Sequence, residues 1–146
     1  MSVWVSDVRE QKEIELRLYA PKSEKIRLNF NPLKLLDIPD WNPAWEEWHA
    51  YVSPLVVYEQ DYAMLLKDYF NIIYPTKDAF DGTLKLCFDI CFDNWIGADD
   101  WKKIITEIQK DFGGFEPDRK RFYADFLNWL EEALNYTDII VVEGNQ

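Results

Sequence analysis

The chain is poor in the residues that most chemistries need. Glycine occurs five times in 146 residues, cysteine twice and histidine once. So few glycines exclude a glycine-rich phosphate loop. Two cysteines do not make a disulfide scaffold, and one histidine with two thiols falls short of a tetrahedral zinc set. No stretch approaches the ~20 apolar residues of a membrane span. The opening Met1-Ser2-Val3-Trp4-Val5-Ser6-Asp7 has neither the basic region nor the long apolar run of a signal peptide, which predicts a cytoplasmic protein. There is no internal repeat, no low-complexity segment and no Pro/Gly/Ser-rich linker, so a single domain over residues 1–146 is expected.

What is abundant is ring surface and negative charge. Apolar residues make up 48% and aromatics 16%, with seven Trp, eight Tyr and nine Phe. Disorder is excluded by that hydrophobicity. A chain of this length can bury roughly 70% of its unfolded surface without a staple. Sixteen Lys and Arg stand against 27 Asp and Glu, a net charge of −11. Such a field repels nucleic acid and anionic membrane and attracts cationic surfaces. Acids interleave with aromatics, as in Trp41-Asn42-Pro43-Ala44-Trp45-Glu46-Glu47-Trp48, a mixture suited to interfaces with aromatic anchors and a charged rim.

Alternation predicts a hairpin from Glu13–Tyr19 and Lys25–Phe30 across the turn Ala20–Glu24, with Val3–Val5 as a further short strand. Four prolines between residues 32 and 54 predict an irregular stretch, with a short helix over Pro43–Val52. Ser53-Pro54 reads as an N-cap and first helical position, opening a helix to about Ile73. Thr83–Asp93 alternates most clearly: Leu84, Leu86, Phe88, Ile90 and Phe92 on one face, Lys85, Cys87, Asp89, Cys91 and Asp93 on the other. Helices are expected over Ala98–Phe112, with Asp99 and Asp100 at its positive end and Gly113-Gly114 after it, and from Glu116-Pro117 to about Tyr136. Thr137–Val142 closes the chain as a strand. The fold class is α+β, with a mainly antiparallel sheet of about four or five strands and three or four helices.

Each catalytic possibility meets an obstacle. Cys87 and Cys91 on one strand would lie roughly 13 Å apart, at ~3.3 Å per residue, too far to bridge. A Ser–His or Cys–His pair would have to use His49, in a Trp-rich stretch without a nucleophile elbow. Asp78, Asp81, Asp89, Asp93, Asp99 and Asp100 could supply paired carboxylates for acid–base work or Mg²⁺, but no spaced motif organises them. The only basic run, Arg119-Lys120-Arg121, is flanked by acids. No catalytic residue, metal or cofactor is therefore assigned, and no enzyme is expected.

Two segments carry a resemblance: Phe88–Gly97 running into Asp99-Asp100-Trp101, and Phe122–Glu132 with the closing Asp138–Asn145. They cover about a third of the chain. In their Trp- and Asp-rich style they resemble the immunity proteins of bacterial polymorphic-toxin and contact-dependent growth inhibition systems, which share no motif to carry over residue by residue. The resemblance implies a cytoplasmic inhibitor in a one-to-one complex with a cognate basic protein toxin, such as a nuclease. The net negative charge, for its part, disfavours direct contact with nucleic acid or membrane. Physical reasoning puts Asp89, Asp93, Asp99 and Asp100 in the steering role, with Glu46 and Glu47 beside them. It makes Trp95, Trp41 and Trp45 candidate anchors. Two alternatives stand beside it: an anti-restriction or anti-CRISPR inhibitor whose acids imitate phosphates, and a small carboxylate-dependent enzyme.

Overall fold

A computed structural model describes residues 2–5, 13–37 and 53–145. The proposed helix over Pro43–Val52, together with Trp41, Trp45, Glu46, Glu47 and His49, lies outside the described residues. The strands are β1 (Ser2–Val5), β2 (Ile14–Leu16), β3 (Arg27–Pro32), β4 (Lys34–Asp37), β5 (Leu55–Tyr58), β6 (Thr76–Lys77), β7 (Leu84–Lys85), β8 (Asp93–Gly97) and β9 (Ile139–Gly144). Helical segments are α1 (Glu59–Asp61), a π-helical turn at Tyr62–Leu66, α2 (Lys67–Asn71), α3 (Ala98–Asp111) and α4 (Pro117–Leu134). The main sheet has five strands in the order β2-β5-β3-β9-β8, antiparallel except for the parallel β2–β5 pair. β1 pairs with β4, and β6 with β7. The class is α+β, as the sequence pattern predicts.

The period-two rule assigns the two faces. Leu16, Leu28, Phe30, Leu55, Val57, Ile96, Ile140 and Val142 point to the helices. There they meet Trp101, Ile104 and Ile108 of α3 and Phe122, Phe126 and Leu130 of α4. Phe30 sits at the centre, its ring 5.7 Å from Phe126 and 6.0 Å from Trp101. Trp101 is fully buried and satisfies its indole N–H on the carbonyl of Ile96, at 3.1 Å, as a buried polar handle must. On the other face Leu33, Trp95, Ile139 and Val141 form a second cluster.

Several expectations are corrected. Residues 13–19 and 25–30 do not form a hairpin, because β5 lies between them and pairs with both. Leu55-Val56-Val57-Tyr58 is buried throughout, and a continuous apolar run rich in β-branched residues suits a central strand. The same four residues replace the helix start at Ser53-Pro54, and helical structure begins only at Glu59. β2 also stops at Leu16. The backbone N–H groups of Leu18, Tyr19 and Ala20 donate to the buried Asp61 carboxylate at 2.9, 2.6 and 3.1 Å, so no ladder can use them. Part of the proline-rich stretch is regular as well, since Lys34–Asp37 pairs with β1.

A further correction concerns Thr83–Asp93. Only Leu84–Lys85 is strand, and the chain then bends and turns before β8. Leu84, Leu86 and Phe92, assigned to a core face, are 59%, 75% and 69% exposed. Side chains that bond the local backbone compete with a ladder, and here Asp89 and Asn94 do so.

Candidate partner-binding surface

The segment from Thr76 to Phe92 is an excursion clasped on the edge strand β8. Its first half is a narrow ribbon. Asp78 N–H donates to the carbonyl of Thr83 and Gly82 N–H to that of Asp78, both at 2.8 Å. Gly82 has φ +75°, a left-handed geometry that a side chain disfavours. Asp78 accepts from Phe80 N–H and Asp81 from Thr83 N–H, each at 2.9 Å, the Asx-turn arrangement. Ala79 N–H then donates to the carbonyl of Trp95 at 2.9 Å, so the ribbon occupies part of an otherwise open sheet edge.

The second half is tied down by Asn94. Its Nδ2 donates to the carbonyls of Asp89, Phe92 and Val142 at 2.6, 3.1 and 3.1 Å, and its Oδ1 accepts from Asp89 N–H at 2.9 Å. Asp89 Oδ1 accepts from Cys91 N–H at 2.9 Å. Ile90 crosses so close to β9 that a Cβ at Gly144 would fall on its carbonyl oxygen. Phe88 and Ile90 pack on the helix side of the sheet, while the Phe80 ring lies 4.9 Å from Trp95 on the other. The excursion thus grips β8 from both faces.

The predicted site residues divide. Asp93 and Trp95 share the face of β8 turned away from the helices, and Asp89 sits in the turn beside them. Asp99 and Asp100 lie past the far end of β8, in the first turn of α3. Asp99 is exposed. Asp100 accepts from the Thr76 hydroxyl and lies 3.5 Å from Lys103 Nζ, so it also anchors the base of the excursion. Trp95 is only 7% exposed and packs with Leu33, Ile139, Val141 and Phe80. It supports the surface from below and does not present its ring as a free anchor.

Strand register adds an acid that sequence reading passed over. Asp93 stands directly opposite Glu143, which stands opposite Asn29. Burial first, then the nearby Asp78, raises the Asp93 carboxyl above its ordinary value; burial first, then Asp93, raises Glu143. Directly opposed like charges destabilise a sheet, and neither carboxylate has a cation within ion-pair distance among the described residues. Asn29 Oδ1, the next polar atom in the row, is buried without a hydrogen-bond partner.

Other chemistry finds less support. Among the described residues, no group of three or more His, Cys, Asp or Glu is placed to hold a metal ion. Cys87 and Cys91 are both exposed, and the extended geometry expected to separate them is not present. One cleft of about 520 Å³ surrounds the start of α3, lined by Lys77, Gly97, Ala98, Asp99, Asp100 and Asp138 among others. A second, of about 650 Å³, runs along α3 between Ile72, Asp99, Lys103 and Glu107. Both mix acids with lysines. Among the described residues, no helix is long and apolar enough to cross a membrane.

Fold and surface together define an α+β domain, its mixed sheet covered by helices on one face and clasped at one edge by an acidic, apolar excursion. No family model, curated protein or solved structure matches the chain.

Proposed function

We propose that this chain is an immunity-type inhibitor that binds and neutralises one basic protein toxin domain, such as a nuclease, in a one-to-one complex, and that it binds without catalysing a reaction. One observation carries the reading: the opposed Asp93–Glu143 pair, with no cation within ion-pair distance among the described residues, on a chain of net charge −11. Two partly desolvated carboxylates gain when a lysine or arginine from outside is placed between them. The long-range field that the excess acid generates steers such a partner in.

The raised carboxyls also suit acid–base chemistry, which keeps the small-enzyme reading as the second one. Capture on the tagged chain from its own cells, at physiological salt and then at ~0.5 M, separates the readings. Recovery of one basic protein in equal amount, retained at high salt and toxic to cells lacking this chain, is expected. A defence nuclease released by salt would favour phosphate mimicry instead. Turnover lost on Asp93→Asn would favour the enzyme.

A further inference from the structure

Among the described residues, eight large hydrophobic side chains are exposed, and Phe80, Leu84, Leu86 and Phe92 are four of them. All four ride on the one excursion. Exposed apolar side chains concentrated on one short segment mark a candidate interaction site. The segment that carries them is fixed to β8 by the Asn94 side chain and by Ala79 N–H on the Trp95 carbonyl and is stiffened within by the Asp78, Asp81 and Asp89 carboxylates, so their backbone is ordered before any partner arrives, which lowers the entropic cost of binding.

We infer that the Thr76–Phe92 excursion is the apolar anchor of the partner interface. Its occupant is a basic protein surface: an apolar recess for Leu86 and Phe92 with lysines or arginines at its rim. This rests on the inhibitor reading and adds the surface to it. Charge complementarity selects the occupant. Residues 76–100 contain two lysines against six aspartates, and Asp93, next to Phe92, stands opposite Glu143 with no cation within ion-pair distance among the described residues. A second copy of this chain is a poor occupant, because a twofold contact sets the same patch against itself and would oppose two acidic rims. An anionic lipid surface is repelled for the same reason.

The test places a photo-crosslinking benzoylphenylalanine at Leu86, or at the exposed Asn128 on α4 as a control, in the full chain in its own cells. The captured protein is then purified and titrated with the wild-type chain and with a Leu86→Ser/Phe92→Ser variant. All three positions are exposed, so unchanged thermal unfolding is expected for the double variant. The inference expects a basic protein crosslinked from position 86 and not from 128, with affinity falling about 30-fold or more in the double variant. A basic, neutralised partner that crosslinks elsewhere or binds the double variant equally well overturns the inference and leaves the inhibitor reading standing. An adduct with a second copy or with an acidic protein overturns it too. If no adduct forms and affinity capture also yields no basic protein, both readings fall.

Discussion

At the scale of single residues, two kinds of carboxylate behave in opposite ways. Asp61 has no exposed surface and accepts three backbone N–H groups from residues 18–20. Removing it leaves those donors without their acceptor, a loss of roughly 3 kcal/mol or more. Asp61→Ala is therefore expected to lower the urea midpoint sharply, and Asp61→Asn, which keeps one acceptor oxygen, less so. Asp93 and Glu143 are destabilising instead. Their folded-state carboxyls are raised above the ordinary values, by burial first and then by neighbouring acids. The folded chain binds those protons more tightly than the unfolded one, so the penalty is fully present above the folded pKa and fades as pH falls through it. Asp93→Asn/Glu143→Gln is expected to raise stability at neutral pH by about 0.2–1 kcal/mol, because both groups keep contact with solvent. The gap from wild type should close on acidification from pH ~7 towards pH ~4. Urea unfolding of both proteins across that range checks it. A gap that widens on acidification would contradict the assignment.

At the scale of elements, Asn94 decides whether the excursion is a surface or a loose loop. Asn94→Ala removes one amide that joins three carbonyls across the turn and β9. A loss of about 2–4 kcal/mol is expected, with faster amide exchange concentrated at Asp89–Phe92. Partner affinity should fall although Asn94, 7% exposed, need not touch the partner. Uniform exchange across the sheet would refute that local role. This element also marks where sequence reading ended. Helices α3 and α4 were legible because Trp101, Ile104, Ile105 and Ile108, or Phe122, Phe126 and Leu130, keep helical spacing within one segment, and β9 because it is a short apolar run after a helix stop. Thr83–Asp93 alternates just as cleanly, but Asp89 and Asn94 spend their side chains on the local backbone, a competition that alternation does not record. The turn formers Asp78, Asp81, Gly82 and Asn94 were the available signal. For the site, the density of aspartates found Asp89 and Asp93. Glu143 is placed opposite Asp93 only by the pairing of strands about fifty residues apart, and no local pattern contains that register. Likewise Leu55–Tyr58 reads locally as the start of a helix and becomes a strand because β2 and β3 both need a partner.

At the scale of the whole molecule, charge and apolar anchor should separate kinetically. The net charge of −11 acts at a distance and is screened beyond about 10 Å at ~0.1 M salt. Leu84, Leu86 and Phe92 act only on contact and are indifferent to screening. For the captured partner, raising salt from ~0.05 to ~0.5 M is therefore expected to slow association by about tenfold or more while changing dissociation only slightly. Leu86→Ser/Phe92→Ser should do the reverse, speeding dissociation and leaving the salt slope of association intact. Stopped-flow mixing with a competitor chase gives both constants on the same samples. If salt instead accelerates dissociation steeply in the wild-type chain, the contact is held by the carboxylates alone. The apolar excursion would then have no part in the complex, and the surface would have to be redrawn around Asp93, Glu143 and the start of α3.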